Sequence, residues 1–317
     1  MKIIAAIGFS LLALTAAAQA QPKPAPASAA AATTKPAPPQ AFATAQEAAD
    51  ALIIAAERFD VPDLKAILGP DGDDLIDTGE QVKDREAATS FAAQAREKSS
   101  VVIDPKRPTR AILSVGKDDW PLPIPIIKQG AKWQFDAKAG RKEILFRRIG
   151  RNELDAIAIC RGFVEAQREY SFTKREGVRV NQYAQRIIST PGKQDGLAWK
   201  NPDGSWGGPI GTNVAHAIEQ GYAAEASPYH GYYFKVLKGQ GAAAPLGELD
   251  FVVNGVMIGG FALAAAPAEY GVTGVKTFIV SHDGVVYEKD LGEQSLNAFK
   301  AMERYNPTKG WTPVSEE

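Results

Sequence analysis

Cysteine is almost missing: Cys160 is the only one in 317 residues, beside three histidines and three methionines. A single thiol excludes a disulfide framework, so an apolar core must hold the fold. The histidines are His216, His230 and His282, and no HxxxH or CxxC spacing accompanies them. Zinc needs three or four convergent ligands, so none is expected. Charge of one sign is missing too, with 36 Lys and Arg against 37 Asp and Glu. The basic residues are scattered, which argues against a nucleic-acid face and against a polybasic membrane patch. No GxxxxGK[ST] phosphate loop occurs; the glycines at 204, 207, 208 and 211 do not open a helix after a strand. Asp71, Asp73, Asp74 and Asp77 lack the calcium-loop spacing, because Gly72 falls between the first two acids, and a solvated turn is expected instead. Ser281-His282-Asp283 resembles a catalytic triad in letters only, since triad members converge from separated segments. The expectation is therefore no enzyme, no cofactor and no metal.

What is present begins at the N-terminus. Lys2 is followed by an apolar run from Ile3 to Ala18, ending in Ala18-Gln19-Ala20, the small-x-small pattern of a cleaved export signal. Residues 1–20 are read as a signal peptide, with cleavage between Ala20 and Gln21. A membrane span needs about 20 apolar residues, and this run is shorter, so the mature chain is expected not to span a membrane. No cysteine lies near Ala20 to carry a lipid. The expected destination is the periplasm or the exterior. Residues 21–41 are Pro-, Ala- and Lys-rich and read as an extended, disordered tether.

The remainder has ordinary globular composition, 45% hydrophobic and 23% charged. Residues 44–59 predict a helix: Thr44 and Glu47 have capping-box spacing, and Ala48, Leu52, Ala55, Ala56 and Phe59 recur at helical intervals. Val61-Pro62-Asp63 reads as a break, 64–68 as a short helix and 84–98 as another. Strands are expected at 111–115, 124–127 and 132–135. A long helix is expected over 141–174, stopped by Gly177, with Cys160 on its apolar stripe as a small buried hydrophobe. Arg147, Arg148 and Arg151 are expected to pair with Glu143, Glu153 and Asp155 at helical spacing. Residues 190–230 read as a long Gly/Pro/Trp-rich loop with a short helix over 213–222. Strands then recur at 232–237, 251–253, 258–265, 277–281 and 285–289, punctuated by Asn254-Gly255 and His282-Asp283-Gly284 hairpin turns. Gly259-Gly260 reads as a bulge or a close contact. A helix at 294–303 closes the pattern.

These elements predict an α+β chain. A small domain of helices on a curved sheet spans 42–148, a long helix packed on an antiparallel meander spans 149–307, and 308–317 is a polar tail. Trp199, Trp206, Tyr232 and His230, with Tyr229 and Tyr233 beside them, are candidates to line a ligand groove. Core packing beneath the long loop is the favoured alternative for the aromatics.

Several segments carry resemblances. ELDAIAICRGFVEAQREY at 153–170, PYHGYYFKVL at 228–237, DFVVNGVMIGGFALAAAPAEYGVTGVKTFIVSHDGVVYEKDLG at 250–292 and RYNPTKGWTPV at 304–314 resemble a bacterial family of exported proteins, a domain of unknown function. The segments at 63–80 and 120–153 fit the same family. The first domain resembles the cone-shaped, nuclear-transport-factor-like folds. The order of helix NELDAIAICRGFVEAQREYSF at 152–172, strand GYYFKV, strand ending PAEYGVTG and strand pair VKTFIVSHDGVVY looks like the globular part of type IV pilins and pseudopilins. Pilins carry a hydrophobic N-terminal stem, and here the equivalent helix follows a whole domain. The resemblance thus implies a pilin-like fold and does not extend to filament assembly. The expected function is a non-enzymatic binding or assembly module of the bacterial envelope, with envelope proteins as partners. The alternative is a small-molecule or peptide binder, its ligand in a pocket of residues 42–140 or under the 190–230 loop. An exported hydrolase would need two carboxylates converging in a cleft.

Overall fold

Thr44 starts the first helix by side-chain chemistry. Its hydroxyl accepts from the Glu47 N–H at 3.0 Å, and the Glu47 carboxylate accepts from the Ala43 N–H at 3.0 Å, one residue upstream of the usual return bond. The computed structural model describes residues 37–174, 179–219 and 227–315. The expected export signal with Ala20 and Gln21, the expected tether up to residue 36, Gly177 and Tyr222 lie outside the described residues. From Pro38 onward the described chain forms one compact unit.

Helix α1 is Ala45–Arg58 and α2 is Val61–Leu68. Val61-Pro62-Asp63 does not interrupt the chain; it is the first turn of α2. Asp60 accepts from the Asp63 N–H at 3.1 Å, and a proline in the first turn loses no helical bond because those N–H groups have no acceptor there. The break is made instead by Phe59, held at φ 49° as the cap of α1. The acidic run from Asp71 is not a simple solvated turn. Residues 70–72 form a 3₁₀ turn and α3 spans Asp73–Ile76, with Ile76 buried. Asp74 pairs with Arg141 at 2.5 Å and Asp77 with Lys65 at 3.8 Å. Helix α4 is Gln81–Glu97.

The first sheet contains β1 Ser99–Asp104, β2 Arg107–Val115, β3 Trp120–Pro121, β4 Ile126–Gln129 and β5 Lys132–Phe135, in the order β1-β2-β4-β5, with β3 on β2. All pairs are antiparallel. Strand β1 was not anticipated, because SSVVID lacks alternation; its pairing with β2 settles its state. Leu113, Ile126 and Phe135 from the sheet meet Ala48, Leu52 and Ala56 of α1 in one hydrophobic cluster.

Helix α5, Ala137–Phe172, has 36 residues, an axis of about 54 Å. Asp136 caps it by accepting from the Ala139 N–H at 2.9 Å. Strands β6 Arg186–Ile188, β7 Gly196–Lys200 and β8 Trp206–Gly207 follow, then α6 Gly211–Glu219. The 190–230 stretch is therefore not structureless among its described residues. The second large sheet starts at β9 Tyr232–Leu237. Two short ribbons intervene: β10 Gly239–Gln240 with β11 Leu249–Asp250, and β12 Val252–Val253 with β13 Val256–Met257. Asn254 and Gly255 both have positive φ, 51° and 81°, as a two-residue primed turn demands. Strands β14 Ala262–Pro267, β15 Lys276–Ser281 and β16 Val286–Asp290, helix α7 Ser295–Ala301 and β17 Thr312–Pro313 complete the chain.

The order β17-β16-β15-β14-β9 is antiparallel throughout. The predicted tail thus supplies an edge strand, with Trp311 and Val314 packed on the core. Strand β14 begins at Ala262 rather than 258 because Gly259 lies against the Asp250 carbonyl and Gly260, at φ 136°, sits against Phe251 and the His282 ring. Cys160, Phe163, Val164 and Tyr170 of α5 pack on Leu263, Phe278 and Ile279 of this sheet, forming a second hydrophobic cluster. The fold is α+β.

Candidate functional site

Small side chains leave a gap between the first two long helices. The buried residues of α4 are only Ala92 and Ala95, and α1 brings Asp50, Ile53 and Ile54 to the cleft beside it. Alanine lets backbones approach but fills little volume, so a cleft of about 330 Å³ remains among α1, the end of α4 and the start of β1. Buried Ile53 and Ala95 line it, with Ile54 at 41% exposure. Asp50, Arg96 and Ser99 supply the polar groups. The volume lies at the lower end of the range for small-molecule sites, and the lining is more polar than apolar.

The polar rim is held in place. The Arg96 guanidinium donates to the Glu57 carboxylate at 2.7 Å, which holds Glu57 below the usual carboxylate range and raises Arg96; Asp50 adds to the latter. Asp50 accepts from the Gln46 side-chain amide at 2.9 Å.

A second cleft of about 160 Å³ is lined by Tyr170, Gln182, Tyr183, Arg186, Asp195 and Lys238, among others. It is polar and half the size. The Thr190 N–H and hydroxyl both bind the Asp195 carboxylate at 2.8 Å, leaving Arg186 a looser contact at 3.8 Å. Burial opposes these hydrogen bonds, and the net effect keeps Asp195 below its ordinary range.

The aromatic candidates take separate places. Tyr232 is wholly buried, its hydroxyl donating to the Lys276 carbonyl at 2.9 Å, and burial pushes that hydroxyl's pKa up. Tyr233 and Trp199 pack on the second cluster. Trp199 lies over Gly207 and Gly208, where an added Cβ would fall within 2.7–2.8 Å of the indole. Trp206 pairs opposite Lys200 across β7 and β8. His230 occupies the tight turn between Tyr229 and Tyr232, at φ 47°, and its Nδ1 lies 2.7 Å from the Asp155 carboxylate on α5.

Other expected partners differ as well. Arg147 does pair with Glu143 at 2.8 Å and also donates to the Pro121 carbonyl at 2.7 Å. Glu153 instead accepts from the Val275 and Lys276 N–H groups at 2.9 and 3.0 Å, and Asp155 takes His230. Tertiary contacts won over helical neighbours because two backbone donors at the end of a loop need an acceptor. Cys160 is buried, and burial pushes its thiol up to about 12. His282 packs edge-on to Phe251 at 5.9 Å, while the Ser281 hydroxyl donates to Asp283 at 3.0 Å within the turn. Among the described residues, no cluster of three His, Cys, Asp or Glu side chains could hold a metal ion, and no helix is long and apolar enough to cross a membrane.

The cleft between α1 and α4 has no counterpart in sequence pattern. Its only signal is the run of alanines on two facing helices, which reads equally well as tight packing.

No curated protein matches this chain, and no solved structure does. A family model described as protein of unknown function (DUF2950) matches residues 39–314, which takes in both sheets, α5 and both clefts. The chain belongs to the DUF2950 family.

Proposed function

We propose that this chain is an exported, non-enzymatic binding module of the bacterial cell envelope that seats a small amphipathic ligand between α1 and α4. The carrying observation is the 330 Å³ cleft with Ile53, Ile54 and Ala95 on its apolar side and Asp50, Arg96 and Ser99 as anchors. Export rests on the apolar run and the Ala18-Gln19-Ala20 pattern. The packing of α5 against β14, β15 and β16 supports the likeness to the globular part of pilins and pseudopilins, and with it a place in the envelope.

Two measurements test the reading. The full chain is expressed in a bacterium and fractionated; accumulation in the cytoplasm with residues 1–20 still attached would overturn export. Purified protein is then screened by thermal shift against small amphipathic molecules, comparing wild type with Ile54→Glu. A ligand at 100 times its Kd adds about 2.7 kcal/mol, so a true ligand raises the wild-type midpoint by several degrees and leaves Ile54→Glu unmoved. An equal shift in both proteins would remove the cleft as the seat. No shift across the panel would overturn the binding reading.

A further inference from the structure

Helix α5 buries one face, and among the described residues the opposite one is exposed. Along that outer face run Leu154, Ala158, Arg161, Glu165, Arg168 and Phe172, all exposed, with Leu154 at 69% and Phe172 at 82%. The spacings are 4, 3, 4, 3 and 4, those of a coiled-coil seam, with apolar residues at 154, 158 and 172 and charged ones at 161, 165 and 168. Eighteen residues separate Leu154 from Phe172, which is five turns, so both point along one line about 27 Å apart. Each of these two apolar side chains would gain by being covered.

The seam is also its own complement. The spacing is palindromic about residue 163: antiparallel pairing with a second copy sets Leu154 opposite Phe172, Ala158 opposite Arg168 and Arg161 opposite Glu165, each contact occurring twice. Ala158 leaves room for the aliphatic stem of Arg168. Among the described residues, Arg161 and Glu165 have no ion-pair partner on their own chain. A parallel, in-register pair would set Arg161 on Arg161 and Glu165 on Glu165, which is repulsive. An isologous two-fold contact is the commonest way a chain pairs with itself.

We infer that two copies of this chain pair through the outer faces of α5, antiparallel, with the two-fold axis at the level of residue 163. The inference is independent of the ligand reading.

Sedimentation of the full chain over a dilution series tests it. A concentration-dependent dimer is expected, and a single monomer species throughout overturns the inference. Arg161→Glu and Glu165→Arg should each weaken the dimer at least tenfold, and the two together should restore it. Unchanged affinity in both single variants overturns the pairing. Unfolding midpoints of these exposed variants check that each still folds. Orientation is read by oxidation: Leu154→Cys with Phe172→Cys should give a cross-linked dimer, while Leu154→Cys alone should not. Cross-linking of that single variant would overturn the antiparallel arrangement. Cys160 is buried and takes no part.

Discussion

The Gln167 side chain and the Ala184 backbone exchange two hydrogen bonds inside the second core: the Gln167 amide donates to the Ala184 carbonyl, and the Ala184 N–H donates back, each at 2.8 Å. Both residues are buried, at 0% and 1% exposure. The side-chain amide does the work of a neighbouring strand and fastens the 182–186 segment to α5. Replacing Gln167 by Leu keeps the bulk and strands two backbone groups, each costing about 1–3 kcal/mol. We expect a loss of about 3 kcal/mol in urea unfolding. A loss below about 1 kcal/mol would mean that water reaches Ala184.

Gly274 lies against a side chain that has nowhere to go. A Cβ there would sit within 2.6 Å of the Tyr232 ring carbon that bears the hydroxyl. Tyr232 is wholly buried and anchored to Lys276, so Gly274→Ala should destabilise by about 1–3 kcal/mol. Gly150, within α5, meets nothing within 4 Å. Gly150→Ala should stabilise by about 0.5–1 kcal/mol. Denaturant midpoints of the two variants should move in opposite directions.

His230 combines a left-handed backbone, φ 47°, with its contact to Asp155. Both His230→Gly and His230→Ala lose the imidazole, so their difference isolates the backbone term. The glycine variant should be the more stable by about 1 kcal/mol. Equal stabilities would show that the turn relaxes when the imidazole leaves.

Alkali should unfold this protein through its buried hydroxyl and thiol groups. Burial raises Cys160 from 9.0 to about 12. The folded state therefore keeps the thiol neutral while the unfolded state ionises. That stability is complete below pH of about 9 and is lost as pH climbs toward 12. Burial raises Tyr232 and Tyr305 as well, in the same direction. Unfolding midpoints should fall with rising pH above about 9, less steeply in Cys160→Ala. A thiol reagent at pH of about 8 should label Cys160 only in denaturant; rapid labelling of the folded protein would contradict its burial.

Local chemistry alone settles several elements. Thr44 and Glu47 mark the start of α1, Asn254-Gly255 makes a primed turn whatever surrounds it, and the apolar stripe through Cys160, Phe163 and Val164 writes the inner face of α5. These depend on neighbours within a few residues. The α+β class follows from them, because helical and alternating periodicities occupy different stretches.

Other features exist only once the chain has folded. Strand β1 becomes a strand because β2 offers it a ladder, and Thr312–Pro313 becomes an edge strand because β16 is left unpaired. Glu153 and Asp155 abandon their helical neighbours for a loop and a turn more than 70 residues away. The α1–α4 cleft is decided by tertiary structure alone: it is space that alanines fail to fill, and empty space leaves no residue pattern. The exposure of the outer face of α5 from Leu154 to Phe172 is likewise decided by tertiary structure, because the packing of the inner face on the second sheet fixes which side of the helix meets water.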